Sequence, residues 1–187
     1  DLGLDDGPGG LQAGYSRELR ARLDAEARAA IRDRKAPHPI SQALQEADVP
    51  RLQAMADAAP GLLLEIDQAR FKEESADTVA GKPARKLVFE RGVDSLSDHD
   101  RKYAKHFTST LTVWIAPDGT PLAESRREDF SGRAFVVVSF EQHDGEERRF
   151  GLLGDRLVTL HDEEHALAQG AGEREESRTE RQLQLQP

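Results

Sequence analysis

The chain has no cysteine. That excludes thiol nucleophiles, disulfide bridges and cysteine-ligated zinc, and it leaves the redox compartment open. Aromatic residues make up only 5%, with a single tryptophan, so a core must be assembled mainly from Leu, Val, Ile and Ala. No apolar run approaches the roughly 20 residues of a membrane-spanning helix. The densest patches, GLLLEI and AFVVVSF, are strand-sized. Positive charge is in deficit: 26 Lys and Arg stand against 35 Asp and Glu, for a net charge of -9. This balance argues against a nucleic-acid partner, which would need a basic face.

Several motifs are missing as well. There is no G-x-S-x-G elbow, no P-loop and no G-x-G-x-x-G after a strand. Asp1, Asp5 and Asp6 lack the ligand spacing of a calcium-binding hand. No catalytic residue, metal ligand or cofactor is therefore assigned.

What is present divides the 187 residues into three stretches. Residues 1–14, rich in Gly and Asp, read as a flexible tail. Residues 15–61 read as a helical segment. Its first helix, within 16–35, has Ser16 as N-cap and a thin stripe of Leu19, Leu23, Ala27 and Ile31. Such a helix could dock on a protein partner or make peripheral contact with a membrane. Pro37 and Pro39 break it. Two short helices follow, the second capped by Asp48, with Pro50 in its first turn and Pro60-Gly61 as its end.

Residues 62–187 read as an antiparallel β domain. LLLEIDQARF alternates through Leu62, Leu64 and Ile66, and ARKLVFERG through Leu87 and Phe89. In HFTSTLTVWIA, Phe107, Ser109, Leu111, Val113 and Ile115 fall on one side, and Thr108, Thr110, Thr112 and Trp114 on the other. PDGTP (117–121) is a turn, and RAFVVVSFEQ reads as the most buried strand. Asp144-Gly145 is a hairpin signal, Gly154-Asp155 joins the next two strands, and QGAG (169–172) precedes the last. Hairpin-sized connections imply antiparallel pairing. The fold class is α+β: N-terminal helices, then an antiparallel meander forming a curved sheet or half-barrel.

The segment His161-Asp-Glu-Glu-His165 has the H-x-x-E-H spacing of a class of zinc peptidases. On a helix both imidazoles would reach one ion. On a strand, four steps of about 3.3 Å set them roughly 13 Å apart, beyond two zinc–nitrogen bonds of about 2 Å each. RLVTL before it reads as strand, so chelation is not expected. Asp98, His99, Asp100 and His106 sit in a solvated loop, with Asp98 as a cap for a short helical turn. Arg126-Arg127 and Arg148-Arg149, with Glu124, Glu128, Glu141 and Glu147, suggest a cross-strand charge ladder.

Trp114, Ile115, Asp118, Gly119, Pro121 and Leu122 form a hairpin that resembles the W-I-D-x-x-G-x-P-L hairpin of periplasmic lipoprotein-carrier proteins and related envelope-stress sensor domains. The likeness covers about 25 of 187 residues. It implies a curved sheet closed by helices, whose concave face receives a lipid, another hydrophobic ligand or a partner protein. Trp114, Val113 and Val137 would lie near that ligand. It also implies a soluble, exported, periplasmic protein without catalytic activity. The chain opens on Asp1, which leaves room for an export signal ahead of it. A hydrolase, metal-assisted through the histidines, and a purely structural assembly module are the alternatives.

Overall fold

A computed structural model describes residues 2–7, 10–46, 49–134 and 138–184. The chain forms two compact units, residues 1–53 and 54–187.

In the first unit, strands β1 (Leu2–Gly7) and β2 (Gly10–Tyr15) pair antiparallel, from Leu2 opposite Tyr15 to Gly7 opposite Gly10. The stretch expected to be a tail is thus a two-stranded ribbon among its described residues. Helix α1 (Arg17–Arg32) begins where the sequence indicates: the Ser16 hydroxyl accepts from the Leu19 amide at 3.1 Å. Leu19 is buried and Leu23 half-buried, whereas Ile31 is 84% exposed, so the apolar stripe fades along the helix. Helix α2 (Pro39–Glu46) follows. The Glu26 carboxylate of α1 accepts from the amides of Ile40 and Ser41, at 2.8 and 2.9 Å, satisfying two orphan donors of the first turn of α2. Helix α3 is Val49–Ala56; the Asp48 cap lies outside the described residues.

The second unit is built on a seven-stranded antiparallel sheet in simple sequential order, open rather than closed into a barrel. Its strands are β3 (Arg70–Val79), β4 (Lys82–Gly92), β5 (Ala104–Ile115), β6 (Pro121–Ala134), β7 (Val138–Leu153), β8 (Arg156–Gly170) and β9 (Glu173–Gln182). This is the α+β arrangement, N-terminal helices followed by a curved antiparallel sheet.

Three sequence expectations are corrected here. Residues 62–66 are not strand. They belong to helix α4 (Ala59–Asp67), and Pro60-Gly61 opens that helix instead of closing the one before. A short apolar run fits either period, because Leu62 and Ile66 share one side of both a strand and a helix. Leu64 decides: it is 58% exposed, on the helix's outer face, while Leu62 is buried. The Ala58 amide donates to the Leu157 carbonyl at 2.9 Å, fixing the start of α4 to β8. Next, Asp144-Gly145 does not turn. Gly145 lies mid-strand in β7, between Arg127 of β6 and His165 of β8. Pairing on both sides overrides the local turn preference. Last, RAFVVVSFEQ is not one strand, since β6 ends at Ala134 and β7 starts at Val138, directly opposite it.

The turn at PDGTP forms as expected. Gly119 has φ +93, and Ala116 and Thr120 close the loop through an amide–carbonyl bond of 2.8 Å. In the 95–106 segment a short helix, α5 (Asp98–Arg101), is capped by Ser97 and not by Asp98; the Ser97 hydroxyl accepts from the Asp100 amide at 3.1 Å.

The core lies between α4 and one face of the sheet: Ala58 and Leu62 pack on Phe89, Leu111, Val113, Phe150 and Leu157. Phe107, Ser109, Leu111 and Val113 are buried on that side of β5, as their alternation indicates. Among the described residues no helix is long and apolar enough to cross a membrane.

Candidate functional site

Antiparallel partners share a face, so the register identifies what each face carries. One row runs Leu87, Val113, Glu124, Arg148, Asp162, Arg181 from β4 to β9. The next runs Phe89, Leu111, Arg126, Glu146, Glu164, Thr179. The face that is apolar on β4 and β5 becomes ionic on β6 to β9, and three of its acids stay buried. Glu124, Glu146 and Asp162 are 2%, 4% and 1% exposed.

Arg148 is the hub. Its Nη2 donates to Glu65 of α4 at 2.5 Å and to Glu124 of β6 at 2.6 Å, and its Nε lies 3.5 Å from Glu146. Arg126 donates to Glu146 at 2.7 Å. Arg181 donates to both Asp162 and Glu164 at 3.1 Å. Glu65 reaches this network because α4 is a helix: Leu62, Glu65 and Ile66 fall on the same side of it. The second carboxylate oxygens of Glu65 and Glu124 are buried without a hydrogen-bond partner. Two acids from different elements therefore converge on one nitrogen of one guanidinium.

The electrostatics follow. Burial, opposed by Arg148 and reinforced by the neighbouring Glu65, pushes the Glu124 carboxyl up to about 8. Arg148 is held charged: its carboxylates outweigh the burial that would lower it. The folded protein thus keeps a proton on Glu124 between the ordinary carboxylate value of 4.5 and about 8, where the unfolded chain has released it. Stability from this group is full below 4.5 and declines as pH rises through that window, by on the order of a few kcal/mol. We expect the melting temperature to fall between pH 5 and pH 8.5. Glu124→Gln should flatten that slope, as followed by circular dichroism melts; an unchanged slope would refute the assignment.

Glu146, Asp162 and Glu164 place carboxylate oxygens within 4.8 Å of one another, a geometry that could hold a cation. Two guanidinium groups, of Arg126 and Arg181, already supply the positive charge there.

His161-Asp-Glu-Glu-His165 is strand, within β8. Its two histidines lie on the opposite face from the network and do not converge. His161 neighbours Glu163 and Glu180 at 3.9 and 3.7 Å, and His165 neighbours Glu176 at 3.2 Å. The acids between them, Asp162 and Glu164, turn inward to the arginines. The charge ladder anticipated from Arg126, Arg148 and Glu124 is present, with Glu146 as the inward partner. Glu147 pairs with Ser125 on the outer face.

Of the residues expected near a ligand, Val113 and Trp114 lie on opposite faces of β5. Val113 is 1% exposed inside the core. Trp114, its chain neighbour, lies on the other face, away from α4, where its Nε1 donates to Asp77 at 2.8 Å. Val137 lies outside the described residues. Sequence reasoning also missed Glu65, because its segment was read as strand. The signal available was Pro60 at the head of a run of three leucines, a helix-start pattern.

This chain matches no family model, no curated protein and no solved structure. Its function has to be argued from its own geometry.

Proposed function

We propose that the protein is a non-catalytic binding module that recognises a partner protein on its open sheet. The observation that carries this is where the ionisable groups converge. Glu65, Glu124 and Arg148 meet beneath α4 and neutralise one another, while two open grooves lie elsewhere, along β7, β8 and β9. A catalytic pair needs room for a substrate beside it.

The lipid reading draws on the hairpin likeness to lipoprotein-carrier proteins, and an exported, periplasmic location belongs to the same proposal. A partner protein is favoured over an acyl chain by two features. The apolar part of the inward face is occupied by Leu62 of α4 and by Ala58, just ahead of it, and the remainder carries buried acids. Helix α1, with its exposed Ile31, offers a second place for that partner to touch.

Native mass spectrometry of the full chain as purified tests this reading. A retained polypeptide or a bare chain is expected. A stoichiometric lipid would replace the partner protein with a hydrophobic ligand.

A further inference from the structure

The far end of the sheet differs from the part that α4 covers. Three more rows lie on the same face there: Glu128, Asp144, Ala166, Ser177; then Phe130, Gln142, Ala168, Glu175; then Gly132, Phe140, Gly170, Glu173. Near α4 every buried acid faces an arginine. From β6 to β9 these three rows carry Glu128, Asp144, Glu175 and Glu173 and no lysine or arginine; the first of them continues through Ser109 of β5 to Arg91 of β4. Arg174 and Arg178 of β9 alternate with these positions and pair with Glu176 and Glu163 at 3.1 and 2.7 Å.

Residues of the last two rows, with Glu141, Gln169 and Arg174 beside them, line a groove of ≈ 620 Å³. Its floor is β8, where Ala168 and Gly170 present almost no side chain. One wall is Phe140 and Gln142 of β7; the other is Glu173 and Glu175 of β9. The Phe140 ring is held edge-on against Phe130, centroids 5.2 Å apart, and Phe130 against Phe107 at 6.1 Å. Gly132 is required beneath it: a Cβ there would stand 2.7 Å from the ring and 2.2 Å from the Tyr103 carbonyl oxygen. The aromatic wall is therefore rigid. Glu173 and Glu175 are exposed and form no hydrogen bond or ion pair among the described residues.

We infer that this groove docks a cationic amphipathic segment of a partner protein, its apolar side chains against Phe140 and Ala168 and its lysines or arginines against Glu173 and Glu175. The inference rests on the binding-module reading and names the surface and the partner's chemistry. The occupant follows from complementarity: a half-buried aromatic beside carboxylates that lack cations is matched by alternating apolar and basic residues. An anionic lipid surface would be repelled by the same acids.

The test is fluorescence anisotropy with the full chain and two labelled peptides of equal length, one alternating leucine with lysine and one alternating leucine with glutamate. The lysine peptide should bind, more weakly as salt rises, and the glutamate peptide should not. The double substitution Glu173→Gln, Glu175→Gln removes charge from exposed positions without touching the core, and should weaken binding about tenfold. Phe140→Ala should weaken it comparably, with melting checked in parallel. Equal binding of both peptides, no binding of either, or a double variant within about twofold of the original overturns the inference. So does a dimer in sedimentation that the double variant disperses, since the occupant would then be a second copy. A polypeptide seen by native mass spectrometry and kept by the double variant overturns the groove alone. A bound lipid in its place overturns the broader reading instead.

Discussion

Replacing Arg148 with methionine should lower the free energy of unfolding by about 3–5 kcal/mol at neutral pH. Arg148 is 11% exposed and touches carboxylates from three elements: α4, β6 and β7. Its removal leaves Glu65 and Glu146 without this cation, beside a Glu124 that already carries its proton, in a place largely closed to water. Coulomb repulsion and lost charge-assisted hydrogen bonds add in the same direction. The carboxyl groups can escape only by taking up protons, so the damage should be smaller at pH 5 than at pH 7.5. Urea denaturation at those two pH values measures both effects. A loss below about 1 kcal/mol at pH 7.5 would mean that the network is solvated in solution. Converting Glu65, Glu124 and Arg148 together to leucine should recover most of the loss, because a buried ion cluster is often no more stabilising than apolar groups of similar volume.

Leu111→Ala should cost about 2–5 kcal/mol. Leu111 is 3% exposed and packs with Phe89, Val113, Phe150, Leu157, Ala58 and the α4 residue Leu62. Its truncation leaves a void that a sheet paired on both sides cannot collapse to fill. The α4 leucines supply the contrast. Leu62→Ala should be damaging to a similar degree, while Leu64→Ala, at a position 58% exposed, should fall within about 0.5 kcal/mol of no effect. Equal damage at Leu62 and Leu64 would restore the alternating-strand reading of this segment and remove Glu65 from the Arg148 hub. Equilibrium unfolding of the three variants decides it.

Much of the sheet was legible because its strands announce themselves with period two. The face assignment of β5, from Phe107 to Ile115, follows from side-chain direction alone. The turn at Gly119 is legible for a similar reason: positive φ strongly favours glycine there, and Pro117 sets up the bend. Local chemistry misled where a longer-range constraint was stronger. Asp144-Gly145 is a fine hairpin dipeptide, yet its place is fixed by twelve paired positions with β6 and fourteen with β8. The three leucines at 62–64 carry no period of their own. Only the sheet beneath them selects which one goes inward.

The candidate site shows the same division. Opposite charges on neighbouring strands, Arg126 and Arg148 against Glu124, could be read as a ladder without coordinates. That the ladder is buried could not, because burial depends on α4 lying over it. The histidine pair is the converse case. Strand geometry already separates the two imidazoles, while the inward turn of Asp162 and Glu164 toward Arg181 depends on register with β9.

By itself, then, the sequence determined the alternation of faces, the antiparallel order and the exclusion of thiol, P-loop and chelating-histidine chemistry, since these depend on residue type and spacing over a few positions. The tertiary structure alone decided that α4 is a helix, that Glu65, Glu124 and Arg148 meet beneath it, and that Glu173 and Glu175 form no ion pair among the described residues. Those outcomes are set by which side chains meet across strands and beneath a helix, and that is determined by register and packing over the whole unit.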